Sequence, residues 1–176
     1  MDVVAVIVVV VSLLVLLPYL FLHGRDSPFV PVRGYLVERV MELAEIGPGD
    51  VFYDLGSGDG RLVVAAALRG AKAYGVEINP WRVWYSRLMI GVLGLSSKAK
   101  IIESDLFRVD LKHATVVSVY LVPKTNERLK VKLKRELGKK ARVLSIGFPI
   151  EGLRLVKEDR VGVSFGPTRL YKVSRS

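Results

Sequence analysis

The sequence contains no cysteine and only two histidines, His23 and His113, among its 176 residues. Without cysteine no disulfide can form, and the side chains that most often bind zinc are almost absent. We therefore predict neither a disulfide framework nor a metal site.

Charged residues are missing from the segment 3–22, whose apolar run is interrupted only by Ser12 and Pro18. At about 1.5 Å per residue, a helix of this length spans about 30 Å, the thickness of a bilayer core. A cleavable signal peptide begins with basic residues and ends at a small-residue cleavage site, and this N-terminus has Asp2 and no such site. We predict a transmembrane anchor over 1–24; a buried core helix is the alternative.

Basic residues follow this segment and none precede it. Arg25, Arg33 and Arg39 all lie on its C-terminal side. Since basic flanks stay in the cytoplasm, we expect a single-pass membrane protein whose C-terminal domain is cytoplasmic. A linker over 25–33, with a Pro-x-x-Pro segment, would keep that domain close to the bilayer.

A glycine-rich turn follows the apolar stretch 51–55. Its residues Gly56, Ser57 and Gly58 lead on to Gly60, and glycines allow the backbone to turn sharply and to approach a ligand closely. A helix that begins near Gly60 would direct unpaired N–H groups at that ligand. The pattern predicts strand, turn and helix around a nucleotide-like cofactor.

Two carboxylates indicate which cofactor this is. Asp54 ends the strand, where it would repel a pyrophosphate but attract the amino group and sulfonium of S-adenosylmethionine. The glycine spacing is also tighter than that of dinucleotide-binding proteins. Glu77 ends the next predicted strand about 20 residues later, where a carboxylate can bind both ribose hydroxyls. A tight turn beside a solvated acid is the alternative, and the combination favours S-adenosylmethionine.

Helices and strands alternate over the rest of the chain. We predict helices at 33–46, 60–68, 80–93 and 124–137, strands at 51–55, 72–77, 99–103, 115–121 and 141–147, and a β-hairpin over 153–173 that turns near 162–166. Such alternation is typical of an α/β fold, a parallel sheet with helices on both faces. The hairpin would add an antiparallel edge.

Several of these motifs together resemble the class I S-adenosylmethionine-dependent methyltransferases. More narrowly, the chain resembles the archaeal protein-lysine methyltransferases and their mitochondrial membrane-anchored relatives. The resemblance covers roughly Pro28 to the C-terminus and is carried by 28–31, 53–61, 75–79, 114–117, Asn126, Glu127 and Leu129. It implies a Rossmann-like class I methyltransferase sheet over 34–176, mostly parallel with an antiparallel edge hairpin. This chain has Val32-Arg33 where the family usually continues with Thr-Pro or a similar pair.

The resemblance also implies cofactor contacts beyond Asp54 and Glu77. Asp105 follows a predicted strand at the place where the family has an acid that accepts the adenine amino group, and Leu106 would pack on the purine. Asn79 belongs to the same matching motif as Glu77. An Asp105 that only caps the next turn is the alternative.

The predicted strand 115–121 ends in Tyr120 and apolar neighbours. Methyltransferases that act on amino groups of small molecules or nucleic acids often have an acidic or amide residue before Pro-Pro here. Its absence argues against adenine or cytosine and suits a slot for an alkyl amine, which desolvation would keep neutral. We expect Tyr120 and Phe29 to line this slot, with the Tyr120 hydroxyl orienting the nitrogen; packing is the alternative role for both.

The formal net charge of +10 is concentrated in the segment 124–142. We rank a solvated helix face first, anionic lipid second and nucleic acid third, because the aromatic residues that stack on bases are missing there. The sequence thus predicts a membrane-tethered protein-lysine N-methyltransferase with protein substrates, membrane proteins among them. The alternatives are a methyltransferase with a small-molecule or lipid acceptor, and a non-catalytic cofactor-binding membrane module.

Overall fold

The structure is a computed structural model, and it describes residues 2–22, 30–160 and 166–173. The helices are α1 Val3–Leu22, α2 Gly34–Leu43, α3 Arg61–Leu68, α4 Pro80–Val92 and α5 Pro123–Glu136. The strands are β1 Val51–Leu55, β2 Lys72–Glu77, β3 Ala99–Glu103, β4 Val116–Val119, β5 Arg142–Ile146, β6 Arg154–Asp159 and β7 Thr168–Lys172.

In the described part of the chain, the strands form one sheet in the order β3-β2-β1-β4-β5-β7-β6. Strands β1 to β5 run parallel, whereas β7 is antiparallel to both β5 and β6. The predicted α/β fold with its antiparallel edge is confirmed. Most of the predicted hairpin turn, residues 162–165, lies outside the described residues. The strand order reverses between β1 and β4, and ligands of open α/β sheets bind at such a switch point.

Each face of the sheet is covered by its own layer of helices. Helices α2, α3 and α4 pack on one face around Met41, Phe52 and Ile101. Helix α5 packs on the other face through Leu129, Leu133 and Leu137, which recur at every fourth position and are fully buried. Both faces of the sheet are therefore covered, and the loops at the carboxyl ends of its strands are left to form a site.

Strand β4 is shorter than predicted, because the chain leaves the sheet at Tyr120. Pro123 begins α5, and Val122 before it is extended, with φ −65° and ψ 154°. A residue that precedes proline is disfavoured in helical conformation, so Tyr120 to Val122 form a loop between strand and helix. This loop lies at the switch point, next to the end of β1.

Helix α1 covers the whole predicted membrane segment. Side chains are described for residues 2–16 and 19 of this segment, and all of them are exposed. Among the residues so described, no helix is long and apolar enough to cross a membrane. The predicted anchor is therefore not confirmed and stays a prediction.

Candidate active site

A cavity of about 540 Å³ opens at the carboxyl ends of the parallel strands. This volume is typical of sites for cofactors and small molecules, roughly 300–1,000 Å³. Segment 30–32, the glycine turn and the loops after β2, β3 and β4 contribute to its wall. The predicted site residues that line it are Asp54, Gly56, Ser57, Gly58, Glu77, Asp105, Leu106 and Tyr120. The sequence motifs therefore meet in one place.

Asp54 presents a buried carboxylate to this cavity from the end of β1. Only 4% of the residue is exposed, and its Oδ1 accepts a hydrogen bond of 2.5 Å from the Ser118 hydroxyl on β4. Burial raises the pKa of Asp54 to about 7; the hydrogen bond from Ser118 opposes this shift, and the charges of Asp59 and Glu77 add to it. No lysine or arginine forms an ion pair with Asp54 among the described residues. A carboxylate in this state favours a cationic ligand group that restores its charge.

Glu77 holds the glycine turn against the end of β2. Its Oε2 accepts the N–H of Gly58 at 2.9 Å, and its Oε1 accepts the N–H groups of Ile78 and Asn79 at 2.9 and 2.8 Å. The buried Arg82 lies 3.8 Å from Oε1. Because an ionised carboxylate has about four acceptor positions, Glu77 keeps capacity for ligand hydroxyls. The backbone contacts of Glu77 are a structural role that the sequence motif did not predict.

The glycine turn needs its glycines for two separate reasons. Gly56, Gly58 and Gly60 have φ values of 84°, 56° and 79°, a left-handed region that side chains disfavour. A Cβ on Gly56 would also lie 3.1 Å from a methyl group of Leu121. The Ser57 hydroxyl is buried against β2 and has no hydrogen-bond partner. At Gly56 and Gly58 this turn therefore presents backbone without side chains to the cavity.

Gly75 on β2 leaves the space that the glycine turn occupies. A Cβ there would lie 2.6 Å from the Ser57 hydroxyl and 2.7 Å from a methyl group of Ile101. We expect Gly75→Ala to displace the turn, to weaken cofactor binding at least about 10-fold and to destabilise the fold by about 1–3 kcal/mol. Isothermal titration calorimetry and thermal unfolding measure the two effects.

Gly91 on α4 provides the matched control, since nothing lies within 4 Å of a Cβ added there. Gly91→Ala should leave cofactor affinity unchanged and stabilise its helix by up to about 1 kcal/mol. If Gly75→Ala left cofactor affinity unchanged, the position assigned to the glycine turn would be wrong.

The structure shows the capping role of Asp105 and brings the residue to the cavity, whereas its contact with adenine stays a prediction. Its Oδ1 accepts the backbone N–H of Phe107 at 2.9 Å, which caps the turn after β3. The residue also lines the cavity together with Leu106 and Phe107. The Arg128 guanidinium lies 4.4 Å from the centre of the Phe107 ring, so one face of this ring carries a cation–π contact.

Of the predicted site residues that the structure describes, Asn79 is the one that does not line the cavity. The Asn79 side chain caps α4, accepting the N–H groups of Trp81 at 3.0 Å and Arg82 at 3.3 Å. Asn79 is buried and is not part of the cavity wall. The role of Asn79 as the N-cap of α4 explains why an asparagine occupies this position of the motif. Phe29 lies outside the described residues.

Tyr120 lies half-buried in the cavity wall beside Leu121 and Val122. Burial raises the pKa of its hydroxyl above the usual value, so the group stays protonated at neutral pH. The wall at the end of β4 is thus apolar apart from one hydroxyl.

The ion pair between Asp59 and Arg61 was not predicted from the sequence. The Arg61 guanidinium donates to both carboxylate oxygens of Asp59 and also to the backbone carbonyl of Val32. These contacts join segment 30–32 to the glycine turn, which explains how that segment reaches the cavity. The only sequence signal was the Gly-Asp-Gly-Arg run, which was interpreted for its glycines alone.

The basic segment 124–142 divides between ion pairs on the helix surface and residues at the cavity. Ion pairs join Lys130 to Glu127, Lys132 and Arg135 to Glu136, and Arg142 to Asp50. Lys124 and Arg128 instead line the mouth of the cavity. Four of the nine basic residues in this segment therefore form ion pairs, three of them within α5. The ranking of a solvated face over anionic lipid stays a prediction.

Three comparisons place this geometry among known proteins. Residues 54–157 match the family model described as the ANTKMT methyltransferase domain. The chain is 41% identical over 127 residues to a protein-lysine N-methyltransferase of Saccharolobus islandicus, and the match covers 71% of this chain and 79% of that protein. It is also 41% identical over 124 residues to the adenine nucleotide translocase lysine N-methyltransferase of Mus musculus, and that match covers 70% of this chain and 54% of that protein. The chain thus spans about half the length of this mouse relative.

Among solved structures, the chain is similar to an RNA methyltransferase from Salinibacter ruber in complex with S-adenosyl-L-homocysteine. The TM-score is 0.77 at 33% sequence identity, and the match covers 84% of this chain and 95% of that chain. The neighbour's ligand is the demethylated form of the cofactor predicted from Asp54 and Glu77.

Proposed function

The chain belongs to the family of the ANTKMT methyltransferase domain and is an S-adenosylmethionine-dependent methyltransferase, and we propose that its acceptors are lysine side chains of proteins. One observation carries the choice of acceptor: the cavity wall at the end of β4 consists of Tyr120, Leu121 and Val122. An apolar wall with a single hydroxyl suits a flexible alkyl amine better than a planar amino group. The archaeal and mouse relatives, both 41% identical and both named as lysine methyltransferases, support the same proposal.

The residues of the cavity fit the cofactor by their chemistry. When bound, S-adenosylmethionine supplies an electrophilic methyl group on a sulfonium. Asp54, which lacks a cation partner among the described residues, would pair with the cofactor's ammonium group. Glu77 would accept the ribose hydroxyls and Asp105 the adenine amino group. Leu106 would provide an apolar contact for the purine.

The chain's task toward the acceptor is to desolvate and orient an amine. A protonated lysine cannot act as a nucleophile, and apolar surroundings lower its pKa toward neutrality. Leu121 and Val122 provide such surroundings, and the protonated Tyr120 hydroxyl is the polar group that can fix the nitrogen's direction. We propose that water takes the proton from the amine, since none of the three residues of this wall, Tyr120, Leu121 and Val122, has a basic side chain.

Replacing Tyr120 by phenylalanine tests this assignment. We expect Tyr120→Phe to lower kcat about 10-fold and to leave cofactor affinity unchanged, because one orienting hydrogen bond is lost. The matched control is Tyr53→Phe, since Tyr53 stacks on Tyr74 away from the cavity and should keep full activity. If the two variants were equally active, the assignment of Tyr120 to the acceptor site would be wrong.

The acceptor itself is tested by blocking lysines. Treatment of a host protein extract with O-methylisourea converts lysine to homoarginine and leaves other nucleophiles in place. Labelled methyl groups should enter the untreated extract and should fail to enter the treated one. Undiminished labelling after the treatment would exclude lysine as the acceptor.

We also propose that α1 tethers the enzyme to a membrane, with the catalytic domain on the cytoplasmic side. The helix has 20 residues and no charge, and its first basic flanking residues come after it. Flotation of the full chain with vesicles, followed by an alkaline carbonate wash, should leave the protein in the lipid fraction.

A variant with Val10→Lys and Leu14→Lys is the matched control, since each charge at the centre of a bilayer costs about 2.5–3.5 kcal/mol. The wash should release this variant. Release of the unchanged chain under the same conditions would contradict the tether.

A further inference from the structure

Helix α4 presents an apolar face to solvent. Its residues Trp81, Trp84, Tyr85, Leu88 and Val92, called here the α4 aromatic face, recur at helical spacing and are all exposed, Trp84 to 62% and Val92 to 72%. The opposite side of the helix buries Val83, Ser86 and Ile90 against the sheet. The α4 aromatic face is therefore not part of the described core.

A surface helix normally places polar side chains outward, and a contiguous apolar patch marks a contact with a partner or a membrane. The composition of this face favours a membrane. Both tryptophans of the chain are on it, beside a tyrosine, and these are the residues that concentrate at the lipid–water interface.

The charges around the face point the same way. Between Glu77 and Glu103 the sequence contains no aspartate or glutamate, and its basic residues there are Arg82, Arg87, Lys98 and Lys100. Arg87, Lys98 and Lys100 are exposed. Near an anionic surface each such residue contributes about 1 kcal/mol of attraction. The charged residues within this stretch of sequence are thus all basic, which matches anionic lipid.

The α4 aromatic face also adjoins the active site and the uncharged N-terminal helix. Ile78, just before α4, and Arg82 in its first turn line the cavity, and α1 comes into contact with α4. A membrane that covers this face would therefore lie beside the cavity mouth.

We propose that the α4 aromatic face lies in the headgroup region of an anionic membrane and holds the cavity mouth at the lipid surface. Its side chains would enter the interface to about 5–10 Å, the depth typical of interfacial helices. This arrangement selects acceptor lysines that lie close to the bilayer surface. The proposal builds on the membrane tether of the proposed function but concerns a different surface.

Tryptophan fluorescence tests the proposal on the full chain, because both reporters lie on the face in question. The protein is reconstituted into phosphatidylcholine–phosphatidylglycerol vesicles with and without lipids brominated near the headgroup. We expect brominated lipid to quench the emission at least twofold and aqueous iodide to quench it little. Emission that iodide quenches fully and brominated lipid leaves unchanged, in protein that floats with the vesicles, would overturn the proposal and leave the tether intact.

A variant with Leu88→Gln and Val92→Gln keeps both tryptophans but makes the face polar. It should float with the vesicles as the wild type does, while quenching by brominated lipid falls at least twofold. Val131→Gln on α5 is the control, since Val131 is equally exposed, at 64%, on the other side of the sheet; its quenching should match the wild type. Identical quenching of all three proteins would overturn the proposal, and protein that does not float at all would overturn both the proposal and the tether.

Discussion

Asp54→Asn weakens the binding of S-adenosylmethionine by at least about 100-fold, because the loss of one partner from a buried charge pair costs about 3–5 kcal/mol. The substitution keeps the volume of the side chain and an oxygen that can accept the 2.5 Å hydrogen bond from Ser118. The fold is therefore preserved while the negative charge that meets the cofactor's ammonium is removed. Calorimetric titration at pH 8 measures the effect.

The pH dependence of cofactor affinity gives the same residue a second test. Since burial raises the pKa of Asp54 to about 7, the carboxyl is protonated below that pH and ionised above it. Cofactor binding needs the ionised form, so affinity should fall about tenfold for each pH unit below 7. Asp54→Asn should remove this dependence. If the affinity of the wild type for the cofactor stayed constant between pH 6 and 8, the assignment of Asp54 as the ionised partner of the cofactor would be wrong.

The stability of the cofactor-free protein should respond to Asp54 with the opposite sign. Between about pH 4 and 7 the folded protein holds a proton on Asp54 that the unfolded chain has lost, so the free energy of unfolding decreases as pH rises through this window. Asparagine does not ionise, so Asp54→Asn avoids this decrease in the free energy of unfolding. The variant should therefore unfold at a higher temperature than the wild type at pH 8, while it binds the cofactor far less tightly.

Glu77→Gln is expected to damage both the fold and the site. The side chain's two oxygens accept three backbone N–H groups, and glutamine replaces one oxygen by a donor. At least one buried N–H then loses its acceptor, which destabilises the protein by about 1–3 kcal/mol. Cofactor affinity should fall about 30-fold, since a ribose contact and the position of Gly58 change together.

Glu103 offers the matched control for Glu77. It is paired with Glu77 in the register of β2 and β3, and its side chain is exposed. Glu103→Gln should change stability by no more than about 0.5 kcal/mol and leave cofactor affinity alone. If the two substitutions had equal effects, the role assigned to the Glu77 carboxylate would be wrong.

The parallel part of the fold could be predicted because its signals are local. Strands at 51–55, 72–77 and 99–103 have the predicted bounds, since a glycine-containing turn lies shortly before each of them, at 47–50, at Gly70 and at Gly94. Tyr120 was predicted to belong to a strand and lies instead in a loop, because Pro123 determines where the helix begins.

The sequence predicted those residues of the site that belong to short, contiguous motifs. Asp54 and Glu77 belong to recognisable sequence patterns, and both line the cavity. The hydrogen bond from Ser118 to Asp54 joins residues 64 positions apart, and the contact from Arg61 to Val32 joins residues 29 positions apart. Such pairs depend on strand order and loop packing, which no local pattern encodes.

The α4 aromatic face could not be predicted from the sequence for a different reason. The sequence predicted a helix over 80–93 without saying which side would meet the sheet. Arg82 and Ser86 are buried, through an ion pair with Glu77 and a hydrogen bond to the Gly58 carbonyl. These polar residues of α4 therefore face the site, and its aromatic residues face outward.

Methyl transfer from labelled S-adenosylmethionine by the full chain in detergent tests the proposed activity itself. Solubilised host membranes and cytosol serve as acceptors, and protein, RNA and lipid are separated afterwards. We predict label in discrete protein bands, with the methyl groups located on lysine Nζ by mass spectrometry, and far less label when Asp54→Asn replaces the wild type at the same cofactor concentration. Label that appears only in RNA or in the organic extract would contradict a protein-lysine methyltransferase.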